Sequence, residues 1–149
     1  MIARISALGL DIGTKRIGIA GCDGTGLIAT GIMTLDRASF RDDVTQFQNL
    51  VQDRQVQILV AGLPYTLNGD IGPQALRVQK YAQRLAETLA LPLEYVDERF
   101  TSVEAENLMK IAKISTAKHK GLIDRKAAAL ILQYWLDDQR LKQEKLANL

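Results

Sequence analysis

Three apolar runs open the chain, Ile5 to Asp11, Arg16 to Cys22 and Leu27 to Leu35, with only Gly-Thr-Lys and Asp-Gly-Thr-Gly turn signals between them. Connections this short join antiparallel neighbours, so the chain begins as paired hairpins. The hydrophobic period then changes. Phe40, Val44, Phe47 and Val51 recur at spacings of 4, 3 and 4, which predicts a helix from Ser39, with Ser39 and Asp42 placed as in a capping box. Val56 to Pro64 is a short apolar run ended by Gly and Pro, hence a strand covered on both faces. Ala75, Val78, Ala82, Leu85 and Leu89 predict a second helix, from about Gly72 to a stop before Pro92. The run LPLEYVDE predicts a fifth strand. Thr101 with Glu104 caps a third helix carrying Val103, Ala105, Leu108 and Met109, and a last long helix runs from about Leu122 past Leu136. Strand-helix-strand crossovers make parallel neighbours, so the expectation is an α/β fold: a mixed five-stranded sheet, three antiparallel hairpin strands and then parallel strands, flanked by helices. This order argues against a purely doubly wound nucleotide fold. With no internal repeat or Pro/Gly/Ser linker, residues 1–149 read as one domain.

A chain of 149 residues is long enough for a core without staples, and 47% hydrophobic with 24% charged residues is the composition of a globular protein. The longest uncharged stretch, Gln55 to Gly69, contains Gln, Asn, Pro and Gly, so no spanning helix and no membrane partner are expected. The first residues lack a secretion-signal pattern, which points to the cytoplasm. Cys22, the only cysteine, excludes an internal disulfide and a thiolate metal cage and reads as a small buried hydrophobe. Net charge is only +2. Its distribution is uneven, however: Lys110, Lys113, Lys118, Lys120, Arg125 and Lys126, together with His119, surround the single acid Asp124.

Carboxylates stand where apolar segments meet solvent: Asp11 after the first run, Asp97-Glu98 after the fifth, and Asp124 at the expected start of the last helix. Such a group is held by buried neighbours while its oxygens stay hydrated, as a hard divalent cation requires. Each has a plainer reading beside the metal one. Asp11, in LGLDIGTKRIG, could cap a turn, or could belong to the phosphate-gripping hairpin of a sugar-kinase or actin-like ATPase, although those proteins need a second domain for which this chain has no room. Asp97 and Glu98 face opposite ways if the strand continues, and Glu98 is favoured. Asp124 would suit a helix N-terminus by the dipole alone, but Ala127-Ala128-Ala129 would let that helix lie close to the sheet and bring Asp124 toward Asp11. Lys15, Arg16, Arg99 and Lys120 are candidates for holding phosphates, and Thr66 and Asn68, in the loop after the fourth strand, for contacting substrate or simply forming a turn. His119 lacks a cue for a serine partner and reads as solvent- or phosphate-facing.

Four motifs in order, LGLDIGTKRIG, the GLP-x4-G loop at 62–69, DERFTS at 97–102 and KGLIDRKAAALIL at 120–132, resemble the YqgF family, also called RuvX, within the ribonuclease H-like superfamily. The resemblance implies a sheet with strand one central beside strand four. It also implies phosphodiester hydrolysis, with catalytic and metal-binding acids at Asp11, Glu98 and Asp124 and with Mg²⁺ or Mn²⁺ as cofactor. The implied substrate is the 5′ end of pre-16S ribosomal RNA or, on the older proposal, a Holliday junction. Related junction resolvases carry an acid on strand four, where this chain has Leu59, Val60 and Ala61, so Glu98 would substitute from strand five. A rival of another class is a nucleic-acid-binding ribosome assembly factor that does not cleave. Monomer and homodimer are both open.

Overall fold

The computed structural model describes residues 4–66, 68–98 and 117–149, with the side chains of 117–120 excepted. Its elements are β1 (Ala7–Ile12), β2 (Arg16–Cys22), β3 (Ala29–Asp36), α1 (Phe40–Arg54), β4 (Ile58–Leu63), α2 (Pro73–Leu89), β5 (Leu93–Asp97) and α3 (Ala117–Ala147). The sheet order is β3-β2-β1-β4-β5. β1 pairs antiparallel with β2 and parallel with β4, so the first strand is central and borders the fourth, as the resemblance implied. The expected third helix, at Thr101 to Met109, lies outside the described residues.

The period of two along each strand sorts the sheet into two unlike faces. Leu8, Leu10, Ile12, Ile17, Ile19, Leu59, Ala61 and Leu63 pack with Phe47 of α1 and Val78, Ala82 and Leu85 of α2. The alternate residues Ala7, Ala20, Val60 and Val96 pack under Ala128, Ile131, Leu132 and Leu136 of α3. Large aliphatic side chains on the first face and small ones on the second are why two helices cover one side and a single, closer helix covers the other. Among the described residues no helix is long and apolar enough to cross a membrane.

Ser39 caps α1 by accepting from the Asp42 amide at 3.1 Å, and the side chain that reaches back over the cap is that of Asp43, which accepts from the Ala38 amide at 3.0 Å. α2 ends at Ala90, which takes a left-handed conformation (φ 56°) so that its amide bonds back to Ala86 and Glu87. Two expectations need correction. The third strand starts at Ala29 rather than Leu27, because the Leu27 and Ile28 amides are taken by the Asp23 carboxylate, at 2.9 and 2.8 Å, instead of by a strand partner. α3 starts at Ala117 rather than about Leu122. Asp124 therefore lies inside the helix, not at its opening, and the helix dipole does not account for it.

Candidate active site

Asp11 is the penultimate residue of β1 and by alternation from Ala7 and Gly9 points to the α3 face. Its neighbours on that face are glycines. Gly18 sits directly opposite on β2, and the β1–β4 register, with Leu10 opposite Ala61, brings Gly62 alongside on the other flank. Each glycine makes room for another acid. A Cβ on Gly18 would lie 1.9 Å from the Asp124 carbonyl oxygen, so the bare β2 backbone is what lets α3 descend at Asp124. A Cβ on Gly62 would lie 2.8 Å from Glu98 Oε1 and 2.9 Å from Glu98 Cγ, so the Glu98 side chain crosses β4 through the space that a β4 side chain would fill. The acid from the fifth strand thus lies over the fourth.

Glu98 follows Val96 by two residues, and Val96 packs on the α3 face. The same alternation turns Asp97, the last residue of β5, to the other face. The charges report the same neighbourhood. Burial, and after it the Asp124 carboxylate, pushes Asp11 up to about 6. Burial, then Asp11, then Asp97, pushes Glu98 up to about 7. Asp11 and Glu98 are carboxyls that resist ionising together, the electrostatic condition a bound cation relieves.

Asp124 is anchored from both sides. Thr34 of β3 donates its hydroxyl to the Gly121 carbonyl and accepts from Arg125 Nη1 at 3.5 Å, which ties the first turns of α3 to the sheet. Arg16, at the start of β2, donates from Nε to Asp124 Oδ2 at 2.7 Å. A cleft of about 200 Å³ opens here, lined by Asp11, Gly13, Thr14, Lys15, Arg16 and Asp124. With Asp124 turned to Arg16, no group of three His, Cys, Asp or Glu side chains among the described residues is gathered closely enough to hold one metal ion. The donor chemistry nevertheless suits a hard divalent cation: three carboxylates, two of them destabilised as anions, beside a solvent cleft.

The structure thus brings together Asp11, Glu98, Asp124, Lys15 and Arg16. Thr66 and Asn68 do not line the cleft. Thr66 closes its own loop, its hydroxyl accepting from the Asp70 amide at 3.1 Å, and Asn68 is exposed. Arg99 and the side chains of Lys120 and His119 lie outside the described residues. Gly62 and Thr14 are site residues that the sequence pattern does not single out; a glycine inside the apolar run of β4 is the available signal for the first.

A family model described as "RuvX: Holliday junction resolvase" matches residues 5–138. The chain is 61% identical over 140 residues to a Trichormus variabilis protein named "Putative pre-16S rRNA nuclease", a match covering 94% of this chain and 93% of that one. A Synechocystis protein of the same name is 59% identical over 140 residues, with 94% and 92% covered. Among solved structures, Thermus thermophilus RuvC in complex with a Holliday junction substrate superposes with a TM-score of 0.52 at 8% identity, covering 91% of this chain and 96% of that one, a likeness of fold. Strand order, motifs and these matches agree, and the chain belongs to the RuvX family.

Proposed function

We propose that this protein is a divalent-metal-dependent nuclease of the cytoplasm that hydrolyses phosphodiester bonds in 5′-end maturation of pre-16S ribosomal RNA, acting through one domain. The observation that carries the reading is the convergence of Asp11, Glu98 and Asp124 on the α3 face, made possible by Gly18 and Gly62. The names of the relatives supply the substrate.

Asp11, Glu98 and Asp124 would hold Mg²⁺ or Mn²⁺, which when bound supplies Lewis-acid activation of water and charge stabilisation at the leaving oxygen. Arg16 holds Asp124 through Nε, and among the described residues its outer nitrogens make no hydrogen bond, so they could take a phosphate oxygen. Lys15, exposed at the tip of the β1–β2 turn, adds a second positive charge beside the cleft. Together they would orient a phosphodiester over the acids. Cleavage of a 5′-extended small-subunit precursor by purified protein, with and without Mn²⁺ and beside Asp11→Asn, Glu98→Gln and Asp124→Asn, tests this. Metal-dependent cutting lost in all three variants is expected. RNA binding without cleavage would instead make the protein a non-catalytic assembly factor.

A second reading has specific support: the family description and the RuvC fold neighbour both name the Holliday junction. Phosphate contacts position a substrate without identifying it. A four-way DNA junction therefore belongs in the same assay, and faster cutting of the junction than of the RNA precursor would transfer the proposal to DNA.

A further inference from the structure

The β1–β2 turn has a second cleft on its other side. This cavity, of about 290 Å³, is bordered by Gly13 and Thr14, which it shares with the acidic cleft, and by Arg37, Gln74, Arg77 and Lys80. Among the described residues no acidic side chain lines it. Arg37 is fixed in place rather than free to sweep through solvent. Its guanidinium lies 4.3 Å from the centre of the Tyr81 ring, and its Nη1 donates to the Gly13 carbonyl at 2.7 Å. Tyr81 is held in turn, with its hydroxyl donating to buried Asp43 at 2.9 Å and its ring edge-on to Phe40 at 5.8 Å. Four of the five N–H donors of Arg37 remain uncommitted among the described residues. Arg77 and Lys80, three apart on α2, are exposed and make no hydrogen bond or ion pair among the described residues.

We infer that this cleft is a binding site for the sugar-phosphate backbone of the nucleic-acid strand that leaves the acidic cleft, with Arg37 as its preset fork and Arg77 and Lys80 as its mobile cations. Three positive side chains facing one cavity, one of them stacked and oriented in advance, suit a polyanion better than a neutral ligand. The shared Gly13-Thr14 turn makes the two clefts successive stations on one path, so a strand crossing the turn would meet both. The inference rests on the nuclease reading for the direction of the strand.

The test measures binding of a fluorescent single-stranded RNA to the full chain across a salt series, for wild type, Arg77→Gln/Lys80→Gln and the remote control Lys142→Gln/Lys145→Gln. Arg37 is left intact because it also holds the turn. Loss of two phosphate contacts should lower the slope of log K against log salt by roughly 1.4 and weaken binding about tenfold near 0.1 M salt, while the control stays close to wild type. Thermal melts of all three confirm folding at these exposed positions. Unchanged affinity and slope in the α2 variant, an equal loss in the control, or no RNA binding by wild type would each overturn the cleft. So would ATP binding that depends on Arg77 and Lys80 while RNA binding does not. Wild-type protein that binds through the cleft yet never cleaves with Mn²⁺ refutes the nuclease and leaves this site standing.

Discussion

Replacing Gly18 by alanine should separate Asp124 from Asp11 without touching either acid. The new Cβ would stand 1.9 Å from the Asp124 carbonyl oxygen, 2.4 Å from its carbonyl carbon and 3.2 Å from the Arg125 nitrogen, all backbone atoms. Restoring ordinary contact requires strand and helix to part by roughly 1.5 Å, and neither side is a flexible side chain that could swing away. Overpacking of this kind costs about 1 to 3 kcal/mol, occasionally more. For a chain of this size that lowers Tm by roughly 3 to 10 °C. The shift falls where Asp124 is carried, and a misplacement of ~1 Å at a reacting centre can cost about a hundredfold in rate. Chemical denaturation and precursor cleavage should be run on Gly18→Ala beside two comparisons. Gly9→Ala meets Leu132 Cβ at 2.6 Å and the Ala128 oxygen at 2.8 Å, so it should lose similar stability with a smaller loss of rate because it acts farther along α3. Gly24→Ala meets only Arg4 Cγ at 3.8 Å and should be neutral. A Gly18→Ala protein with wild-type Tm and wild-type cleavage would refute the claim that this glycine seats the helix.

Further outcomes follow from the same geometry. Asp11 and Glu98 sit above their ordinary values of 3.8 and 4.5, so the native state holds more protons than the unfolded chain between about pH 4 and 7. Stability of the metal-free protein should therefore fall as pH rises through that window and level off above it, with Asp11 contributing on the order of 2 to 3 kcal/mol. Urea melts in EDTA should show Asp11→Asn flatter than wild type, and parallel curves would contradict the burial account. Arg16→Gln should tighten Mn²⁺ binding by about tenfold in calorimetry, because Asp124 loses its charged partner, yet weaken RNA binding. Gly62→Val should displace Glu98 and reduce cleavage with little change in RNA affinity. Ala90→Gly should raise stability by about 1 kcal/mol in denaturant titration, since the left-handed φ of 56° strains alanine but not glycine.

Much of this fold was legible because its hydrophobic periods are unambiguous. Short turns forced β1 to β3 into hairpins, and the runs at Val56 and Leu91 flanked by helical spacing forced the parallel half. The sequence misleads where a side chain overrides propensity or where a helical turn carries no apolar period. Leu27 and Ile28 look like strand residues, but one carboxylate, Asp23, takes both of their amides and leaves them exposed. The start of α3 is not legible because apolar spacing becomes clear only at Leu122, while a polar helical turn carries no period. The three acids could be named from sequence, and the alanines at 127–129 hinted at a close helix. The fit itself could not be read, because it depends on which residue stands opposite which: Gly18 across from Asp11, and Gly62 beneath Glu98. Cross-strand register is a tertiary fact that a one-dimensional pattern leaves open. The cationic cleft is hidden for a similar reason, since Arg37 in the β3–α1 connection and Arg77 on α2 come together only in the folded chain.

Anomalous scattering from crystals grown with Mn²⁺ asks whether Asp11, Glu98 and Asp124 form one cation-binding centre. The expected result is a peak coordinated by Asp11 and Glu98, with Asp124 drawn off Arg16 toward it. A well-occupied Mn²⁺ elsewhere, with Asp124 still on Arg16 and the other two carboxylates unliganded, would contradict it.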